Sequence, residues 1–90
     1  MAVTVQVPTP MREQAGGKSE VAVVGATVKA ALDDLIRQYP ALGPKLYDNG
    51  RIRPYVNVFV NEEDIRYLDE MDTPVADGMT VSLIPAVAGG

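Results

Sequence analysis

The 90-residue sequence predicts an α+β fold, in which a mixed sheet of four to five strands is covered on one face by one main helix. Two observations predict it. Apolar and polar residues alternate strictly near both ends of the chain and again at residues 55–61, as is typical of half-buried strands. Between these stretches, one run of apolar residues repeats at helical spacing.

The first two strands are predicted at residues 3–7 and 20–24. Val3, Val5 and Val7 share one face of the first strand, with Thr4 and Gln6 on the other. Proline at positions 8 and 10 cannot continue a sheet ladder, and the glycine pair at 16–17 indicates a turn. The two strands therefore form a hairpin with a long loop.

The helix is predicted at residues 28–39. Thr27 is its candidate N-cap, and Pro40 stops it. The apolar positions at i, i+3, i+4, i+7, i+8 and i+11 form one face, made of Val28, Ala31, Leu32, Leu35, Ile36 and Tyr39. The solvent face is predicted to carry Lys29, Asp33, Asp34 and Arg37.

The second half is predicted to hold a loop with a short helical turn near Leu46, a tight turn at Asn49-Gly50, and strands at residues 55–61 and 79–85. Residues 65–68 are predicted as a short edge strand that could pair with another chain. The first and last strands have matching apolar faces, so pairing them at the centre of the sheet would bury both.

Composition excludes several functions. The chain has no cysteine and no histidine, which removes disulfides, the usual general base and the commonest metal ligands. Its net charge of −4 argues against nucleic acid as a partner. No apolar stretch approaches the roughly 20 residues of a membrane span, and no charged leader is present, so a cytoplasmic location is expected. Catalysis by the chain itself is not expected.

Two clusters are interpreted as structural. The first is acidic and is expected to be solvated turns, with a docking patch for a basic partner as the alternative; it comprises Glu62, Glu63, Asp64, Asp69, Glu70 and Asp72. It lacks the alternating spacing of a calcium loop, so no metal site is predicted. The second, Gly16-Gly17-Lys18, lacks the frame of a phosphate-binding loop.

Tyr55, Asn57 and Phe59 are a candidate partner surface, because they lie on the strand face opposite the valines. The alternative is that residues 40–54 fold over them, and the sequence does not decide between the two.

The C-terminus has a distinctive composition. We divide the chain into a domain at residues 1–85 and a flexible tail at 86–90. Five extended residues reach roughly 17 Å. The terminal glycines carry no Cβ and could enter a narrow channel. The residues predicted to thread into a partner's active site are Ala86, Val87, Ala88 and Gly89, which would deliver the carboxylate of Gly90.

The strand order and the ending "DGMTVSLIPAVAGG" resemble the β-grasp, ubiquitin-like sulfur carriers, which include the small subunit of molybdopterin synthase and the thiamine sulfur carrier. The segments "VTVQVPTPMREQAGG" and "VNVFVNEEDIR" are most similar to the carriers of mycobacterial cysteine synthesis and of thioquinolobactin-type siderophore synthesis. The resemblance covers essentially the whole chain.

The resemblance implies that the chain binds no cofactor of its own. An E1-like adenylating and sulfur-transferring partner would use ATP to activate Gly90, leaving a thiocarboxylate (1-thioglycine) there. A cysteine-synthase-like enzyme containing pyridoxal phosphate (PLP) would accept the sulfur, and a metalloprotease would release the product. Alternatives are sulfur donation to molybdopterin, thiamine or a siderophore-type metabolite, a ubiquitin-like modifier of lysines, and a plain binding module.

Overall fold

The computed structural model describes residues 2–85. The main sheet contains β1 (Val3–Gln6), β2 (Glu20–Val23), β5 (Val56–Val60), β6 (Glu63–Asp64) and β7 (Thr80–Pro85), in the order β2-β1-β7-β5-β6. A separate hairpin is formed by β3 (Tyr47–Asp48) and β4 (Arg51–Ile52). The helices are α1 (Val28–Gln38), α2 (Gly43–Leu46) and the 3₁₀ helices Thr9–Ala15, Pro40–Leu42, Ile65–Tyr67 and Glu70–Asp72.

The mixed sheet confirms the predicted α+β architecture. β1 and β7 pair in parallel, with Val5 opposite Val81, and the other strand pairs are antiparallel. The first and last strands therefore lie side by side in the middle of the sheet, as predicted. Because β1 and β7 run in the same direction, the ends of both strands lie at the same end of the domain.

The core lies between the valine face of the sheet and α1. The apolar stripe of α1 packs here, and Thr27 caps the helix because its Oγ1 accepts a hydrogen bond from the Ala30 N–H at 3.1 Å. The helix ends at Gln38, two residues before Pro40, because Tyr39, the residue before proline, is disfavoured in the helical region. The buried strand residues of this core are Val3, Val5, Val21, Val23, Val56, Val58, Val60, Val81 and Leu83.

The predicted edge strand at residues 65–68 is wrong. Ile65–Tyr67 is a 3₁₀ helix, whose N-cap Asp64 accepts a hydrogen bond from the Arg66 N–H at 2.9 Å. The edge strand is β6 instead, and a tight turn at Asn61 and Glu62, both with positive φ, joins it to β5. β6 is only two residues long, and the helical turn that follows it directs the side chain of Ile65 into the core.

The predicted solvent position of Asp34 is also wrong. Its side chain is only 8% exposed, and it accepts hydrogen bonds from the Val24 N–H at 3.1 Å, from Gln38 at 3.0 Å and from Arg37. Gln38 also donates to the Ala22 carbonyl at 3.0 Å. These hydrogen bonds offset the desolvation free energy of the buried carboxylate, and they connect α1 to the outer side of β2.

The loop after β1 contains structure that the sequence pattern did not reveal, whereas α2 (Gly43–Leu46) confirms the helical turn predicted near Leu46. The loop after β1 forms the helix Thr9–Ala15, which buries Met11 and Ala15. The segment after α1 buries Leu42 and Leu46. The β3–β4 hairpin that follows turns at Asn49-Gly50, which confirms the predicted tight turn. None of the helices in residues 2–85 has the length and apolar character needed to span a membrane.

Candidate functional site

The candidate site is the end of the sheet where β7 finishes. Pro85 is the last residue of β7 and pairs with Val56 of β5, so the chain leaves the domain from the centre of the sheet. The residues predicted to be the tail, Ala86, Val87, Ala88, Gly89 and Gly90, lie outside the described residues. Their threading role and the reactive carboxylate of Gly90 therefore stay predictions.

A cleft of about 350 Å³ runs beside the last residues of β7. Its other wall is the chain that follows β1, including Pro8 and Arg12. The Arg12 Nε donates to the Val7 carbonyl at 2.9 Å, which fixes this wall against the strand. Ser82 Oγ donates to Gln6 Oε1 at 3.0 Å across the two central strands. We call the end of β7, residues 82–85, the root of the C-terminal segment. These hydrogen bonds hold it and the neighbouring wall of the cleft against β1.

The predicted partner surface lies on the other side of this root. Asn57 pairs with Ile84, and Phe59 pairs with Ser82, so both neighbour the end of β7 on the face away from the core. Asn57 and Phe59 are half-buried, whereas Tyr55 remains 45% exposed.

Residues 40–54 leave much of Tyr55 uncovered. The leucines of this segment, Leu42 and Leu46, join the core on the valine face. From the same segment, the Arg53 guanidinium lies 5.8 Å from the centroid of the Tyr55 ring, a cation–π arrangement. Access to Tyr55 is therefore open, and the role of Tyr55, Asn57 and Phe59 in binding a partner stays a prediction.

Sequence reasoning missed Ile84 as a member of this surface. Ile84 is 46% exposed and lies directly opposite Asn57. The signal was present, because the alternation of β7 places Ile84 on the face opposite the buried Leu83. What the sequence lacked was the strand register that brings Ile84 beside the predicted residues.

The shifted pKa values of the described residues arise from hydrogen bonds, neighbouring charges and burial. Arg37 and the Val24 N–H lower the pKa of Asp34, and the guanidinium of Arg66 lowers the pKa of Asp64. Burial, with a smaller contribution from Asp33, raises the pKa of Tyr47 to about 12. None of these groups lines the cleft beside β7.

The acidic cluster of the sequence does not come together as a metal site. Within residues 2–85, no three side chains among His, Cys, Asp and Glu are placed to hold an ion. Asp64 is instead paired with Arg66 at 2.6 Å.

Comparison with known proteins gives a consistent result. The model of the ThiS family matches residues 5–90. The sulfur carrier protein CysO of Mycobacterium tuberculosis is 40% identical over 93 aligned positions, which cover all of both chains. Small archaeal modifier protein 3 of Haloferax volcanii is 42% identical over 65 positions, covering 72% of this chain and 71% of that protein.

A solved structure agrees with the observed fold. A chain in the crystal structure of the Amycolatopsis orientalis BexX/CysO complex superposes with a TM-score of 0.92 and 38% identity. The match covers 99% of this chain and all of the other. Likeness at this level extends over the sheet, the helix and the connecting segments together.

Proposed function

Because the chain belongs to the ThiS family of ubiquitin-like sulfur carriers, we propose that it carries sulfur as a thiocarboxylate at Gly90. The observation that supports this most strongly is the end-to-end match to a protein named as a sulfur carrier, which includes the C-terminal glycines. The central strand β7 leads directly into those last five residues, which gives the reactive group a rigid base.

The proposed chemistry begins with activation of the carboxylate. A carboxylate is a poor acyl donor, so a partner enzyme joins Gly90 to the α-phosphate of ATP, releasing pyrophosphate. A sulfide equivalent then attacks the acyl carbon, AMP leaves with the electron pair of the broken C–O bond, and a thiocarboxylate remains. The catalytic groups of both steps belong to the E1-like partner, which is consistent with a chain lacking cysteine and histidine.

The proposed destination of the sulfur is cysteine. The thiocarboxylate sulfur would add to an aminoacrylate held by a PLP-dependent, cysteine-synthase-like enzyme, and a metalloprotease would release the cysteine from the carrier. The names of the similar proteins support this destination over molybdopterin, thiamine or a siderophore-type metabolite.

The loading experiment tests the proposal directly. The protein is mixed with ATP, the activating enzyme from the same genome and a sulfide source, and its intact mass is then measured. We expect a gain equal to the exchange of one oxygen for one sulfur. Deletion of Gly89-Gly90 should abolish the gain while the circular dichroism spectrum stays unchanged. Asp77→Asn, at the opposite end of β7, is the matched control and should load normally. Loading of the truncated chain would refute the assignment to Gly90.

The partner surface has its own test. Tyr55→Ala and Ile84→Ser remove exposed apolar area beside the root, and each should raise the KM for the activating enzyme about tenfold, the cost typical of a binding hot spot. Val24→Ser is the control, since Val24 is 59% exposed but lies at the opposite end of the sheet. Equal effects at all three positions would argue against a surface at the root.

A second function is favoured by one observation, the similarity to a small archaeal modifier protein. A modifier uses the same activated carboxylate, but its acceptor is a lysine amine and the product is an isopeptide bond. Blots of cell extract for a tagged form of the chain separate the two functions. An ATP-dependent ladder of conjugates supports the modifier, whereas a single free band together with a sulfur-loaded mass supports the carrier.

A further inference from the structure

One edge of the main sheet has a gap. β6 pairs only with Phe59 and Val60 of β5, and the chain then turns away into the 3₁₀ helix that begins at Ile65. Within residues 2–85, no strand pairs with residues 56–58 on this side. Residues 56–58 of β5 therefore face a cleft instead of a neighbouring strand on this side, although the Val56 N–H is already taken by the Arg53 carbonyl at 3.0 Å.

The register shows which backbone groups face the cleft. The Asn61 N–H donates to the Thr80 carbonyl at 2.9 Å, towards β7. Because backbone groups alternate in direction along an antiparallel strand, every second residue counted back from Asn61 also directs its N–H and carbonyl towards β7. Val58 belongs to the alternate set and directs its N–H and carbonyl outwards. Backbone groups in such a position are the usual template for an added strand.

The cleft beside this edge has a volume of about 250 Å³. Ile52 and Pro54 supply apolar walls, Val58 and Ile65 line the cleft although their side chains are buried, and Arg53, Arg66 and Asp64 supply charge. With two guanidinium groups and one carboxylate, the cleft has a net charge of +1, because Arg66 neutralises Asp64 at 2.6 Å. A narrow apolar cleft with one unmatched positive charge suits an extended peptide of small residues that carries one negative charge.

We propose that this cleft takes residues 86–90 of a second copy of this chain as an added strand. The segment AVAGG has no side chain larger than valine, and its only charge is the terminal carboxylate. Five extended residues reach roughly 17 Å, whereas three strand residues span roughly 10 Å, so the segment is long enough to cover the open edge. Its carboxylate meets the guanidinium groups of the cleft.

The position of the exit favours a second copy over the same chain. Pro85 lies opposite Val56 on the β7 side of β5, so the chain's own tail would have to double back around Tyr55 to reach the other side. The exit and the cleft lie at the same end of the domain, which lets two copies related by a twofold axis exchange their tails. Such an exchange would cover the carboxylate until a partner enzyme competes for it.

A peptide titration tests the inference on the full-length protein. The probe is the free peptide AVAGG, added to dilute ¹⁵N-labelled protein while amide resonances are followed. We expect shifts at residues 56–58, 65 and 66. A peptide with a C-terminal amide should bind about two- to fivefold more weakly, because it lacks one surface ion pair. A peptide N-methylated at its second alanine should not bind, because it has lost a strand donor. Absence of shifts, or shifts confined to the cleft beside β7, would overturn the inference.

Self-association supplies an independent measurement. Sedimentation velocity across a concentration series should show a reversible dimer that Arg53→Ala weakens about two- to fivefold, again by loss of a surface ion pair. Arg51→Ala is the matched control, since Arg51 does not line this cleft. A dimer that responds equally to both changes, or a monomer at every concentration, would contradict the inference. None of these readouts uses sulfur, so failure here and failure of the loading assay are distinguishable.

Discussion

The two outer edges of the main sheet are closed in different ways. Along β2, side chains from α1 occupy two outward backbone groups: Gln38 donates to the Ala22 carbonyl and Asp34 accepts from the Val24 N–H. At β5, closure depends on β6, which covers only Phe59 and Val60. The first edge has two of its outward backbone groups occupied near its end, whereas the second remains open beside the exit of the chain.

The difference teaches where this small domain can meet another chain. Unprotected strand edges invite pairing, and proteins usually cover them with charge, bulges or packed elements. Here one edge is partly covered by a buried carboxylate, whose desolvation costs free energy, and by an exposed amide. The open edge lies close to the root of the C-terminal segment and to Tyr55. Four substitutions can break or sharpen this contrast.

The largest effect is expected from Gly25→Ala, at the end of β2. A Cβ at this position would lie 2.5 Å from the Ala31 nitrogen and 2.7 Å from the Ala30 carbonyl carbon, so α1 must move away from the strand. We expect a loss of about 1–3 kcal/mol in the free energy of unfolding, measured by urea denaturation. Gly43→Ala is the control, because its nearest neighbour would be Ile36 Cγ2 at an ordinary 3.6 Å. A stable Gly25→Ala variant would show that α1 is not held tightly here.

The next effect is expected from Asp34→Asn, which keeps an acceptor for Val24 but removes the charge facing Arg37. The lowered pKa of Asp34 means that its charged form stabilises the fold at pH values above its ordinary 3.8, and that this stabilisation is lost as the pH falls through the lowered value. The melting temperature of the variant should thus fall below that of the parent at neutral pH, and the gap should close in acid. A gap independent of pH would assign the effect to packing.

A smaller effect is expected from Gln38→Ala, which removes the bonds to the Ala22 carbonyl and to the Asp34 carboxylate but leaves that carboxylate with Val24 and Arg37. The loss should be about 1 kcal/mol in the free energy of unfolding, because both bonds come from one exposed amide nitrogen and a hydrogen bond has a usual net value of about 0.5–1.5 kcal/mol. The hydrogen-exchange rate of the β2 amides should rise with it. Lys29→Ala serves as control, because its ion pair with Asp33 is exposed on the other side of α1. Equal losses in both variants would mean that the capping of β2 contributes nothing.

The smallest effect is expected at the open edge, from Glu62→Gly in the turn between β5 and β6. Glu62 has φ of 76°, a left-handed conformation that costs a non-glycine residue about 1–2 kcal/mol. Glycine removes this strain but loses more chain entropy, so we expect a net gain of about 0.5 kcal/mol. Glu63→Gly, in the strand itself, should destabilise instead. A loss in both variants would show that the side chain of Glu62 stabilises the turn.

The strands and the main helix could be predicted from sequence because their signals are local. Alternation located β1, β5 and β7, and helical spacing located α1 with its Thr27 cap. The matching faces of the first and last strands even predicted their central pairing. The 3₁₀ helix at Ile65 was missed because one buried residue in a three-residue turn has no measurable period.

The site was predicted less completely, since its geometry depends on register. Tyr55, Asn57 and Phe59 were selected from one strand, but Ile84 joins them only through the pairing of β5 with β7. The burial of Asp34 was hidden for the same reason, because its partner Val24 comes from another element. The assignment of Gly90 rests on the resemblance and on the similar proteins, and it stays a prediction for the loading assay.

The parallel pairing of β1 with β7 has a mechanical consequence. If a partner enzyme draws the chain end into its active site, as proposed above, it would pull on Pro85 along the axis of β7. The hydrogen bonds on both flanks of this strand are loaded in shear, so several must break together rather than one after another. Strands anchored on both sides resist such a pull far better than an edge strand that unzips. Single-molecule stretching from the C-terminus should therefore measure a high unfolding force for this domain.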